Sequence, residues 1–252
     1  MSDSQDAQRW TGKVALVTGA SSGIGRATAR ALHALGMRVA VTGRREERLQ
    51  ALRGELGDSL LPLPCDLRDL ESIKSVFARI QESWGGIDVL VNNAGIGHET
   101  PLIGGDAEHW REMLEVNVLA LCECTSLAVS DMQRRGVEGH IIHISSMSAH
   151  RVPSGSGVYS ATKYAVRSLT EGLRQELREL GSPIRVSSVS PGFVETEFHS
   201  RYFQSEERAQ ATYRRYKVLQ PEDIAKSVIH LLTAPPHVQI HDVLVRATEQ
   251  PT

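Results

Sequence analysis

Short β-branched runs alternate with amphipathic stretches from one end of the chain to the other, and this restricts the possible architectures more than any other feature. Residues 14–18 read as a strand. Ile24, Ala27, Thr28, Ala31, Leu32 and Leu35 then recur at helical spacing until Gly36 stops the helix. Further strands are expected at 37–42, 88–91, 141–144 and 184–189, with a possible last one at 238–245. A third strand at 60–65 contains Pro62 and Pro64, which limit its hydrogen bonding. Helices are expected around Leu49, Leu52 and Leu56, around Ile73, Val76, Phe77 and Ile80, and over about 107–134, 158–180 and 221–232. Strands joined by crossover helices run parallel with a right-handed turn. The expectation is therefore one α/β domain over 1–252, a Rossmann-type doubly wound parallel sheet with helices on both faces. Ligands of such sheets bind beyond the carboxyl ends of the strands, so the loops after strands one, two, four, five and six should carry the chemistry.

Charge and cysteine content remove several classes of function. The 252 residues hold 28 basic and 30 acidic side chains, interspersed, with a net charge of -2, so nothing supports nucleic-acid binding. Three cysteines, Cys65, Cys122 and Cys124, make no disulfide framework, and no metal-ligand set is evident. With no apolar run after a basic start and no unbroken apolar run of about 18 residues, neither a signal peptide nor a membrane span is expected. A cytoplasmic location is the default, with 1–9 as a loose polar tail.

The turn after strand one is Thr18-Gly19-Ala20-Ser21-Ser22-Gly23-Ile24-Gly25. Glycines let a pyrophosphate approach the backbone, and the helix N-terminus supplies free N–H groups and partial positive charge. An ordinary Gly-rich turn is the plainer alternative. Strand two ends Val41-Thr42-Gly43-Arg44-Arg45. A carboxylate there would grip a ribose 2′-hydroxyl; two guanidiniums suit a 2′-phosphate instead, which points to NADP(H). Arg44 and Arg45 could instead solvate a helix start. Asp66, with Leu67, is placed to accept from an adenine amino group or to cap the next helix. Asn93, Ala94 and Gly95 follow strand four, where small residues let the chain pass close to a ribose.

Tyr159 and Lys163 stand four apart on one helical face, where an ammonium favours the phenolate and lowers the phenol pKa. Carbonyl reduction needs such an acid, since hydride addition leaves an alkoxide to be protonated, and alcohol oxidation needs the same group as a base. Ser145 and Ser146 close strand five, and the Ser146 hydroxyl is suited to orient a substrate oxygen, turn residues being the alternative. Asn117, polar in an apolar helix, is suited to hold a relay water or to mark a kink.

These segments resemble the short-chain dehydrogenase/reductase family: Thr-Gly-x3-Gly-x-Gly, Asn-Asn-Ala-Gly, Asn117, Ser146, Tyr159-x3-Lys163 and Pro191-Gly192. The resemblance implies a Tyr159 acid/base, a Lys163 that lowers its pKa and binds the nicotinamide ribose, a Ser146 that polarises the carbonyl, and an Asn117 relay. It gives Arg44 to the 2′-phosphate, Asn93 and Gly95 to the adenosine side, and Val194 and Thr196 to the nicotinamide carboxamide. It also implies a homodimer or homotetramer. Ser146-Met147-Ser148, His150-Arg151-Val152 and Arg246-Ala247-Thr248-Glu249-Gln250 are similar to animal members known as farnesol dehydrogenases and a broad ketosteroid and carbonyl reductase, and to bacterial 3-hydroxy acid dehydrogenases.

Residues 193–217 should cover the substrate. Phe193, Phe198, Tyr202, Phe203, Tyr213 and Tyr216 offer aromatic surface there, and Arg201, Arg208, Arg214 and Arg215 offer charge. His98, His143 and His150 are further candidates, His143 reading rather as a core residue. The expected activity is NADP(H)-dependent exchange between a carbonyl compound and an alcohol, the substrate a small molecule such as a steroid, terpenoid or 3-keto compound. A non-catalytic NADP sensor on the same fold is the other reading, and enoyl reduction the other chemistry.

Overall fold

The computed structural model describes residues 6–251. Seven strands form one wholly parallel sheet in the order β3-β2-β1-β4-β5-β6-β7. They are β1 (Val14–Thr18), β2 (Arg38–Gly43), β3 (Leu60–Pro64), β4 (Val89–Asn92), β5 (His140–Ile144), β6 (Arg185–Pro191) and β7 (Asp242–Val245). Every residue of β1 is buried, as expected of a central strand with helices on both faces. β3 lies at the sheet edge and pairs only with β2, so Pro62, opposite Val41, removes no hydrogen bond from a second neighbour. The prolines and the strand are compatible for that reason.

The helices are α1 (Gly23–Ala34), α2 (Glu46–Leu56), α3 (Leu70–Trp84), α4 (Ala107–Leu114), α5 (Ala120–Arg135), α6 (Gly157–Glu179), α7 (Phe198–Phe203), α8 (Glu206–Tyr213) and α9 (Pro221–Thr233). Two apolar clusters divide between the faces of the sheet. Leu32, Val39, Leu49 and Ile224 belong to one; Leu16, Ile73, Leu90, Met132 and Val186 belong to the other.

The expected helix over 107–134 is interrupted: α4 and α5 are joined by a π-turn at Glu115–Leu119 with Asn117 buried in it. A π-turn inserts one residue into the helical ladder, often beside a functional site. By length and composition the 29 residues Ala107–Arg135 qualify as a membrane span, unlike the run sought in the sequence. Here Ala120, Cys124, Ala128 and Met132 pack in the core beneath the sheet.

Of the stretch 1–9 expected to be a loose tail, 1–5 lie outside the described residues. Arg9 departs from the expectation: its Nη2 donates to the carbonyls of Leu232 (2.7 Å) and Ala234 (2.8 Å), while the Trp10 indole donates to Leu232 (2.8 Å). These bonds satisfy carbonyls at the end of α9, which its own helix leaves without partners.

Candidate active site

The strand order reverses between β1 and β4, and a cavity of about 580 Å³ opens beyond their carboxyl ends. It is bordered by Gly19, Ser21, Ser22, Gly23 and Ile24 after β1, and by Arg44 and Arg45 after β2. Asp66 and Leu67 after β3, Asn93, Ala94 and Gly95 after β4, and Thr196 after β6 complete the expected part of the wall. Gly19 has φ +67°, and a Cβ on it would lie 2.8 Å from the Ala94 Cα. Gly25 faces away from the cavity; a Cβ there would lie 2.6 Å from the Gly19 carbonyl, so it permits α1 to pack on the loop. Ser22 is the N-cap of α1, yet its side chain makes no capping bond and the first turn holds no acid. The helix therefore presents open N–H groups and an uncompensated positive end, and a dinucleotide's pyrophosphate fits that cradle.

Other expected residues act through neighbours. The Asn93 amide donates to the Thr18 (2.8 Å) and Gly19 (3.3 Å) carbonyls, so it clamps the loop while its main chain borders the cavity. Asp66 does not cap α3; Asp69 does, accepting from the Glu71 N–H at 3.0 Å. Hydrogen bonds from Arg68 hold the Asp66 carboxyl below its ordinary pKa, which keeps it an acceptor. Pro191, Gly192 and Val194 lie behind the wall. The Gly192 N–H donates to Val245, and the Phe193 N–H donates to the buried side chain of Gln250 at 3.0 Å.

Arg44 is exposed at the cavity mouth, and among the described residues nothing pairs with it. Arg45 differs. Its guanidinium donates to Ser21 Oγ (3.0 and 3.2 Å), Ser22 Oγ (2.8 Å) and Glu197 (2.7 Å). No local pattern singles out Glu197, which lies 152 residues from Arg45.

Asn117, Ser146, Tyr159 and Lys163 converge behind Gly95 and Gly97. A Cβ on Gly95 would come within 3.4 Å of Lys163 Nζ, and one on Gly97 within 3.2 Å of the Tyr159 ring. Asn117 donates to the Ile96 carbonyl (2.8 Å) and Thr162 Oγ1 (3.0 Å) and accepts from the Ile96 N–H (2.8 Å). Both its donors are thus used within the protein, and the kink and the amide are one feature that ties β4's loop to α6. The Ser146 hydroxyl lies on the Tyr159 side and acts to lower the phenol pKa, and its Oγ accepts from the Ser148 N–H at 3.0 Å.

Lys163 Nζ stands 5.9 Å from the Tyr159 ring centre and donates to the Ile144 carbonyl at 3.0 Å. The expectation that it lowers the Tyr159 pKa is not met in this geometry. Burial pushes Tyr159 up to about 12 against the opposing effect of Ser146, and burial lowers Lys163 to about 8. The Lys163 charge therefore costs stability below about pH 8, and that cost is relieved as the pH rises from about 8 towards the ordinary lysine value of 10.5. Lys163→Met should stabilise the ligand-free protein at neutral pH by about 1–3 kcal/mol, by removing a desolvated cation with one hydrogen-bond partner. A higher midpoint in thermal melts at pH 7, with the gain shrinking by pH 10, is the expected result; an unchanged or lower midpoint at pH 7 would contradict it.

Aromatic rings of the covering segment lie over Tyr159: Phe198 at 5.4 Å and Tyr202 at 6.0 Å between ring centres. The segment is fastened on one side by Glu197 and on the other by Arg208, which pairs with both Glu99 oxygens at 2.6 and 2.8 Å. His143 is a core residue, between Thr125 and Thr170, with burial lowering its pKa to about 4. His98 borders the cavity and pairs with Glu112 at 2.8 Å, while His150 lies 3.0 Å from Asp242.

A cradle fit for a dinucleotide thus lies beside Ser146, at the end of β5, and beside Tyr159 and Lys163, one turn apart on α6, the arrangement of a class of oxidoreductases. Residues 13–207 match the family model described as short chain dehydrogenase, and the chain belongs to that family. It is 49% identical over 252 residues to dehydrogenase/reductase SDR family member 11 of Gallus gallus, covering 96% of this chain and 99% of that one. It is 43% identical over 246 residues to farnesol dehydrogenase of Aedes aegypti, covering 94% and 97%. Among solved structures, the closed form of serine dehydrogenase complexed with NADP+ superposes with a TM-score of 0.90 at 36% identity, covering 95% of this chain and 96% of that one.

Proposed function

We propose that the protein is an NADP(H)-dependent carbonyl reductase and alcohol dehydrogenase in which Tyr159 is the general acid and base. The observation that carries this reading is the convergence of Ser146, Tyr159 and Lys163 beside a dinucleotide cradle whose mouth holds an open Arg44. The residues fit the cofactor: Ser21, Ser22 and Arg44 for the 2′-phosphate, the α1 N-terminus for the pyrophosphate, Asp66 and Leu67 for adenine, and Lys163 and Thr196 towards the nicotinamide. When bound, the reduced nicotinamide supplies the hydride. Ser146 hydrogen-bonds the carbonyl oxygen and orients it, and the Tyr159 hydroxyl donates its proton as negative charge grows on that oxygen. In oxidation the same phenol oxygen accepts the alcohol proton. Lys163, with its Nζ 5.9 Å from the Tyr159 ring centre, would donate to the nicotinamide ribose and so hold the ring against the substrate.

Phe198 and Tyr202 against Tyr159 favour a substrate with an apolar body, in keeping with the farnesol dehydrogenase relative and with a steroid, terpenoid or 3-keto compound. We further propose a cytoplasmic homodimer or homotetramer. Leu114, Leu119 and Tyr164 stay 50%, 48% and 40% exposed along α4, the π-turn and α6, an apolar strip that a second copy would cover. Light scattering in solution would return a dimer or tetramer mass, and a monomer at micromolar concentration would contradict this part. The activity is tested by NADPH consumption against steroid ketones, terpenoid aldehydes, 3-keto esters and 3-keto acids. Turnover supports the enzyme; tight NADPH binding with no turnover on any of them replaces it with a binding protein.

A further inference from the structure

We infer that Glu197 is a specificity-determining residue, a resident carboxylate that shares the Arg45 guanidinium with a dinucleotide's 2′-phosphate and so moderates the preference for the phosphorylated cofactor. The inference rests on the cofactor reading proposed above.

Three guanidiniums converge on this carboxylate. Arg45 Nη1 donates to Oε2 at 2.7 Å, Arg48 Nη1 to Oε1 at 2.6 Å, and Arg201 Nη2 reaches Oε2 at 3.4 Å. Burial opposes its charge, but the hydrogen bonds from Arg48 and Arg45 prevail and hold its pKa at about 2, so it is ionised at any working pH. Ser21, Ser22, Arg44, Arg45, Arg201 and Glu197 border the same cavity. The Ser21 and Ser22 hydroxyls accept from Arg45, which leaves each O–H to donate to an anion in front of them.

A phosphate monoester brings a charge of about −1.5 to −2 at neutral pH to a corner that already holds an ionised carboxylate. It is attracted by Arg44 and Arg45 and repelled by Glu197, and it competes with Glu197 for the same fork of donors. A cofactor lacking the phosphate meets neither effect. The carboxylate also fastens the covering segment to the start of α2, but Arg208 and Glu99 hold that segment independently on its other side.

The test is the ratio of the NADH to the NADPH dissociation constant, measured by calorimetry on the wild type and on Glu197→Gln. The amide keeps the shape and one acceptor and removes the charge. A looser cover changes both constants and cancels in the ratio. The ratio should rise about tenfold, with the gain shrinking at high ionic strength. A ratio that is unchanged or falls overturns the inference. The wild-type ratio separately tests the cofactor reading: equal binding of the two dinucleotides sinks that reading, whereas the change on substitution still decides the role of Glu197.

Discussion

Replacement of Tyr159 by Phe should abolish ketone reduction, lowering kcat by about 10²–10⁴-fold, the range for loss of a positioned general acid. The variant keeps the ring that packs on Phe198, Tyr202 and Gly97 and loses only the hydroxyl that meets Ser146. Dinucleotide affinity should stay within about twofold, because the cradle lies on the other side of Gly95. The measurement is steady-state kinetics alongside an NADPH titration by protein fluorescence. Loss of turnover with retained binding assigns the proton to Tyr159. Turnover within a factor of about ten of the wild type would remove Tyr159 from that role and with it the proposed mechanism.

The second large effect concerns the end of β2. Arg44→Asp should turn the cofactor preference towards NADH, with the ratio of the two dissociation constants changing by about 100-fold or more, equivalent to about 2.7 kcal/mol. Two contributions add. The open guanidinium that would pair with the 2′-phosphate is lost, and a carboxylate that repels the phosphate and accepts from a ribose 2′-hydroxyl takes its place. Arg45→Ala should act differently. Its guanidinium is engaged by Ser21, Ser22 and Glu197, so its removal should loosen the loop and the covering segment and weaken both dinucleotides, NADPH more than NADH because the 2′-phosphate also loses a donor it shares with Glu197. An Arg44→Asp protein that still prefers NADPH would show that the phosphate is held elsewhere.

How far the site could be read from the sequence depended on how local the information was. Strand–helix alternation is written in hydrophobic periods of two and 3.6 residues, and those windows located all seven strands and the Gly-rich turn before α1. Tyr159 and Lys163 sit one helical turn apart, so their shared face needed no tertiary knowledge. What the sequence hid depends on contacts between distant segments. Pro62 and Pro64 are tolerable because β3 falls at an edge, which is a property of strand order. The helix around Asn117 reads as continuous because a π-turn changes backbone register without changing the apolar pattern. The pairings of Glu197, Arg208 and Gln250 carry no local signal, since their partners lie 152, 109 and 57 residues away. The upward Tyr159 shift is not legible in the spacing, which brings Lys163 near but says nothing of burial, and burial dominates both groups.

The most direct test of the account is isotopic. NADPH carrying deuterium at its transferable position is incubated with the protein and the ketone or aldehyde that gives the fastest turnover, and the product is analysed by mass spectrometry and NMR. The account predicts an alcohol with one deuterium on the former carbonyl carbon, formed by the wild type and absent with Tyr159→Phe. Deuterium on the carbon β to an intact carbonyl, or no transfer at all despite saturating NADPH, would contradict it.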